Sequence, residues 1–216
     1  MAQIIPAILA TTEEEYKEKL SQVENLNLSK DNWVQIDLMD NKFVQNRSIG
    51  PDIIAKYLTE LKFEAHLMVE YPESWIDELI KIPVARIIFP VEDISGINER
   101  IIHIKNHEIE VGLSLNPETS VKAILPFLDK VDVALILGVH PGFQAQEFIP
   151  KTIEKIKEIL RLRSGRNFKI TVDGGIRSEN AKLIVDAGAD LLVVGSYLFE
   201  GVTDENLEKI RKAIAD

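Results

Sequence analysis

Trp33-Val34-Gln35-Ile36-Asp37-Leu38-Met39 sets an acid inside a run that otherwise has the make-up of a buried strand, and a buried carboxylate without partners is strongly unfavourable. With a strand's period of two, Val34, Ile36 and Leu38 share one face, while Gln35, Asp37 and Met39 share the other. One face packs; the other is left for chemistry. Ala65-His66-Leu67-Met68-Val69 repeats the device, with His66 and Met68 on a common face, and Ile170-Thr171-Val172-Asp173 ends a strand on an acid before Gly174-Gly175. We read the three stretches as walls of one site, carrying the residue types that general acid–base chemistry uses.

These walls need elements to position them, and a strand-then-helix alternation recurs eight times. Strands are expected over residues 3–9, 33–39, 65–69, 85–89, 110–115, 131–137, 169–172 and 191–194. Helices are expected over 11–28, 51–61, 74–81, 97–105, 119–128, 149–163, 178–187 and 204–215, with Thr11-Thr12 capping the first, Pro51 opening the second and Ser178 capping the seventh. Eight units in 216 residues average about 27 each, which points to a closed (β/α)8 TIM barrel rather than an open doubly wound sheet. In a barrel the loops after the strands converge at one mouth, so Asp37, His66, Asp173 and the Gly195-Ser196 pair can meet; strands so distributed could not all face one crevice of an open sheet.

Composition bounds the function. With 45% hydrophobic residues, the 216-residue chain suffices for one well-filled core, so residues 1–216 are expected to form a single domain. A net charge of -10 disfavours nucleic acid and anionic membrane surfaces as partners, and any anionic substrate must be held locally. The absence of cysteine excludes a disulfide framework, a thiolate metal site and a cysteine nucleophile. The opening segment, Met1 to Pro6, has no basic region, and no stretch approaches membrane-spanning length. A soluble, unprocessed, cytoplasmic protein is expected. A homo-oligomer stays open, since nothing in the sequence sets the oligomeric state.

Ile36-Asp37-Leu38-Met39-Asp40 with Phe43-Val44 and Asn46, His66-Leu67-Met68-Val69, Pro141-Gly142-Phe143, Val172-Asp173-Gly174-Gly175 and Gly195-Ser196 occur in that order. Over nearly its whole length the chain resembles the ribulose-phosphate 3-epimerase family. The resemblance implies an eight-stranded barrel that inverts carbon three of a phosphorylated ketopentose, with Asp37 and Asp173 as acid and base on opposite faces of the substrate. It also implies a divalent metal (zinc, iron or manganese) held by Gln35, Asp37, His66 and Asp173. Met39 and Met68 would form part of an apolar lid over the intermediate. The phosphate of a small sugar would sit at Gly174-Gly175, Gly195-Ser196 and the Gly142-Phe143-Gln144-Ala145 loop, where close backbone approach and a helix N-terminus favour an anion.

The chain departs from the family's pattern around the same mouth. Gln35, a weaker neutral oxygen ligand, replaces a metal-binding histidine; Ala7 replaces a substrate-contacting serine; and Gln144-Ala145 replaces a glycine pair. Leu137 stands for a third lid methionine, Asn41 for a glycine, Gln45 for a proline and Pro90 for a histidine. Two alternatives to the pentose-phosphate epimerase follow: an epimerase of another phosphorylated ketose, such as a ketohexose 6-phosphate, and a phosphate-ligand-binding barrel with little catalysis. Barrel decarboxylases with an Asp-x-Lys pair are disfavoured, because Met39 occupies the lysine position. Asp40 and Asn41 read as turn residues, His103 and His107 as surface groups, and His140 adjoins the Pro141-Gly142-Phe143 loop.

Overall fold

The computed structural model describes residues 2–28, 32–93 and 95–215, so Met1 of the opening segment lies outside them. Eight parallel strands close into a barrel in chain order, with β1 pairing both β2 and β8. They are β1 (Gln3–Ile8), β2 (Trp33–Met39), β3 (Lys62–Met68), β4 (Val84–Pro90), β5 (Glu110–Leu115), β6 (Val133–Leu137), β7 (Lys169–Asp173) and β8 (Leu191–Val194). The helices between them are α1 (Glu13–Glu24), α2 (Pro51–Ile54), α3 (Pro72–Leu79), α4 (Ile97–Lys105), α5 (Thr152–Leu162) and α6 (Ser178–Asp186), and α7 (Thr203–Ala215) follows β8. Among the described residues no helix is long and apolar enough to cross a membrane.

Strands buried on both faces read as continuous apolar runs, and their alternation here feeds two cores. Val34, Ile36 and Leu38 point outward into the layer between sheet and helices, where α1 contributes Tyr16, Leu20 and Val23. The opposite faces fill the barrel with Ile5, Ala7, Trp33, Ile88, Val133, Leu135, Leu137, Leu191 and Val193. Polar groups enter this interior at two levels. Low in the barrel, Arg86 is paired with the fully buried Glu64 and with Glu110, its guanidinium lying 4.2 Å from the centre of the Trp33 ring. Higher up are Gln35, Asp37, His66 and Asp173.

The helices differ from their sequence signals where side chains compete with them. Thr12 caps α1 by accepting the Glu15 N–H at 3.2 Å, as its position suggests. The segment from Pro51 keeps only one α-helical turn, because after Ile54 the bonds tighten to three-residue spacing and the Tyr57 hydroxyl is drawn to Glu13 at 2.6 Å. Between Thr119 and Leu128 the helix resolves into two 3-10 turns, Val121–Ala123 and Leu125–Phe127; Pro126 has no N–H to continue an α-helical ladder. α5 begins at Thr152 rather than Ile149, whose N–H is tied to Gly138 at 2.7 Å. Ser178 does not cap α6: Asn180 accepts the Arg177 N–H at 2.8 Å, and the Ser178 hydroxyl pairs with the Tyr197 hydroxyl at 3.0 Å.

Candidate active site

β2 and β3 run in register so that Asp37 stands beside His66, and β7 brings Asp173 to the same height beside Leu137 of β6. Gln35 lies one inward-facing step below Asp37. Its Nε2 donates to Asp37 Oδ1 and to Asp173 Oδ2, both at 2.8 Å, while His66 Nδ1 lies 3.3 Å from each of the same two oxygens. Gln35 and His66 are fully buried, whereas the side chains of Asp37 and Asp173 remain 14% and 12% exposed. The amide and imidazole form a floor, and the acids present their edges to the cavity above.

The electrostatics follow from crowding. Burial pushes the Asp37 carboxyl up; the His66 hydrogen bond opposes this and the charge of Asp173 adds to it. Burial alone would disfavour a charged imidazole, yet the hydrogen bonds and charges of Asp173 and Asp37 prevail and push His66 up to about 10.

The donor set fits a divalent cation. Ligand atoms of Asp37, His66 and Asp173 all lie within 4.8 Å of one another. Gln35 Oε1 is buried with no hydrogen-bond partner among the described residues, and a half-turn of the amide would exchange it with the Nε2 that now bridges the acids. An oxygen facing two carboxylates is tolerable only beside a cation, so Gln35 can complete the set as a neutral ligand.

Above this floor a concave cavity opens at the mouth of the barrel. Asp37 and Asp173 line it together with Ala7, Met39, Met68, Gly142, Phe143, Gln144, Ala145, Gly174, Gly175, Gly195 and Ser196. Met39 and Met68 pack with Leu9 and Val44 against Phe43 on one side, so they close an apolar wall. The loop after β6 is tied across to the loop after β2, where the Asn46 side-chain amide donates to the Gly142 carbonyl at 2.8 Å. Gln146 holds that loop by donating to the carbonyls of His140 and Phe143, and Phe143 is 59% exposed at the rim. Ala145 sits at φ 59°, so the loop keeps a glycine-type conformation without glycine, at a strain of about 1 kcal/mol.

Glycine is required where the glycine-lined end approaches neighbouring backbone. Gly175 has φ 68°, and a Cβ there would lie 2.6 Å from the Phe148 backbone nitrogen. Gly175→Ala is therefore expected to lower the melting temperature and weaken phosphate binding together, measured by thermal unfolding with and without phosphate. A variant with wild-type stability and affinity would show that this approach is dispensable.

Asp40 is the turn residue its sequence suggests, accepting the N–H groups of Lys42, Phe43 and Glu70 at 2.8–3.0 Å. His103 is a surface group, pairing with Asp77 at 3.0 Å, and His107 is exposed beside it. His140 reaches the cavity edge but is largely exposed and pairs with Glu118 at 3.3 Å. Three lining residues with polar side chains escape a reading of the sequence, Gln146, Arg177 and Tyr197, as do the apolar Leu9, Val139 and Ile176. Arg177 alone carries a signal, standing two residues after Gly175.

Fold and site together define a class: a (β/α)8 barrel with an acid–histidine–acid constellation at the carboxyl ends of its strands, beneath a glycine-lined pocket. The ribulose-phosphate 3 epimerase family matches residues 3–199, and the chain belongs to that family. It is 37% identical to the ribulose-phosphate 3-epimerase of Chlamydia trachomatis over 196 residues, covering 88% of this chain and 84% of that protein. It is 33% identical to the ribulose-phosphate 3-epimerase of Bacillus subtilis, covering 100% and 98% of the two chains. Among solved structures, a 3-hexulose-6-phosphate synthase superposes with a TM-score of 0.72 at 16% identity, covering 98% of this chain and 99% of that one. The 3-keto-L-gulonate-6-phosphate decarboxylase of Vibrio cholerae gives a TM-score of 0.72 at 10% identity, covering 99% and 97%. These two likenesses are of fold alone.

Proposed function

We propose that the protein interconverts ribulose 5-phosphate and xylulose 5-phosphate by moving the proton at carbon three. The observation that carries this is the placement of Asp37 and Asp173: both show an edge to the cavity, on strands that reach it from separate sides, and both are anchored by one Gln35 amide. One carboxylate removes the carbon-three proton, leaving an enediolate, and the other returns a proton to the opposite face; the reverse direction exchanges their roles. When bound by Asp37, His66, Asp173 and Gln35 Oε1, a divalent cation supplies Lewis-acid stabilisation of the developing oxyanion. Met39 and Met68 exclude water from the reacting carbon, and the backbone at Gly174, Gly175, Gly195 and Ser196 receives the phosphate.

A coupled assay on ribulose 5-phosphate, run with and without added divalent metal, tests the reading. Loss of the family's serine hydroxyl at Ala7, which lines the cavity, favours one second reading: the same chemistry on another phosphorylated ketose, such as a ketohexose 6-phosphate. Rates across a panel of phosphorylated ketoses separate the two.

The phosphate is expected to be essential. A Cβ at Gly195 would meet only ordinary contacts, the Ala7 oxygen at 3.7 Å and the Ala7 Cβ at 3.8 Å. Gly195→Asp is thus tolerated by the fold but sets a carboxylate where the phosphate binds, and binding should be abolished with little change in melting temperature. Turnover of free ribulose as fast as of its phosphate would contradict the assignment.

A further inference from the structure

We infer that Arg177 is the side-chain cation that recruits the substrate phosphate, and that Glu200 competes for it. The inference rests on the sugar-phosphate reading of the cavity and deepens it. An incoming phosphate ester enters a cavity that already contains Asp37 and Asp173, in a chain of net charge -10. Backbone N–H groups can cradle the anion, and a side-chain cation at the same place offsets its charge further. Among the described residues, Arg177 is the one lysine or arginine lining the cavity, and it sits on the loop that leads from Gly174-Gly175 into α6.

The surroundings of Arg177 suit exchange between two anions. Its guanidinium makes a two-point pair with Glu200, at 3.1 Å to Oε1 and 2.7 Å to Oε2, and lies 4.6 Å from the centre of the Tyr197 ring. Both partners of the ion pair are about half exposed, at 47% and 46% of their side chains, so the pair is weakly held and yields readily to a second anion. Tyr197 also lines the cavity and is pinned by the Ser178 hydroxyl at 3.0 Å. The aromatic face is therefore a shelf on which the guanidinium keeps its stacking while its donors turn from carboxylate to phosphate. Glu200, on the loop after β8, then weakens the apparent affinity and assists release of product.

The test uses inorganic phosphate as the probe, with its affinity measured by calorimetry on the intact protein, alongside KM and kcat for ribulose 5-phosphate. Arg177→Met should weaken phosphate roughly tenfold, a loss of about 1.4 kcal/mol, and raise KM in proportion while kcat stays within about twofold. Arg177→Lys should recover part of the affinity, since an ammonium keeps the charge without the fork. Glu200→Gln should act in the opposite direction, tightening phosphate about threefold and lowering KM. Unchanged phosphate affinity in Arg177→Met would overturn the inference, as would equal weakening in Arg177→Met and Glu200→Gln, the result expected of a purely structural clamp between the two loops. Arg177-dependent phosphate binding without turnover of ribulose 5-phosphate would refute the epimerase reading and leave the role of Arg177 standing.

Discussion

Asp173→Asn is expected to reduce epimerisation by about 10²-fold to 10⁴-fold, the range a positioned acid or base contributes, while the protein stays folded. Asparagine keeps the shape of aspartate and can still accept from Gln35 Nε2, which reaches Asp173 at 2.8 Å, so the floor of the site retains its hydrogen bonds. Asp37→Asn should have an effect of the same order, because its Oδ1 shares that amide and the His66 imidazole. The two variants should differ in one respect. With one carboxylate left, the enzyme can still exchange the carbon-three hydrogen of one epimer with solvent deuterium without inverting it, and the epimer that exchanges should switch between the variants. Steady-state rates, deuterium incorporation and a thermal melt together check this. Near-normal turnover in Asp173→Asn would remove the two-acid mechanism.

Metal removal is the second large effect expected. The purified protein should hold less than one divalent ion per chain, lose activity on treatment with a chelator, and regain it when zinc, iron or manganese is returned. The deficit follows from the ligand set, in which a neutral amide oxygen at Gln35 stands where an imidazole would bind more tightly. Gln35→His should raise metal affinity by about 10-fold to 100-fold, on the scale by which even outer partners of a metal site affect binding. It should raise activity at limiting metal as well. Stability gives a readout independent of turnover, since a ligand at 100 times its Kd raises unfolding free energy by about 2.7 kcal/mol. Thermal melts against added metal should therefore rise at lower concentrations in Gln35→His than in wild type. Full activity of a rigorously metal-free sample, unchanged by the substitution, would instead assign Gln35 as a hydrogen-bond donor that holds the two acids together, as its Nε2 does here.

What the sequence determines by itself is local and periodic. The two-residue alternation of Trp33–Met39 is enough to separate the packing face of Val34, Ile36 and Leu38 from the interior face of Gln35 and Asp37, because neighbouring side chains on a strand must point to opposite sides. Eight strand–helix units imply barrel closure, and closure implies that Asp37, His66 and Asp173 share a mouth. The ends of helices are less legible. The turns at 121–127 and the single turn at 51–54 depend on Pro126 and on Tyr57 reaching Glu13, choices made by neighbours rather than by propensity. Tertiary structure alone decides how the site is wired. Gln35 and Asp173 are 138 residues apart in the chain, and only barrel closure lets one amide bridge both acids. Arg177, Tyr197 and Glu200 have no common spacing that marks them as a group; the packing of the loop after β7 against the loop after β8 assembles them. Contacts within one element follow from the geometry of adjacent residues, whereas contacts across the barrel depend on the register and closure of all eight strands.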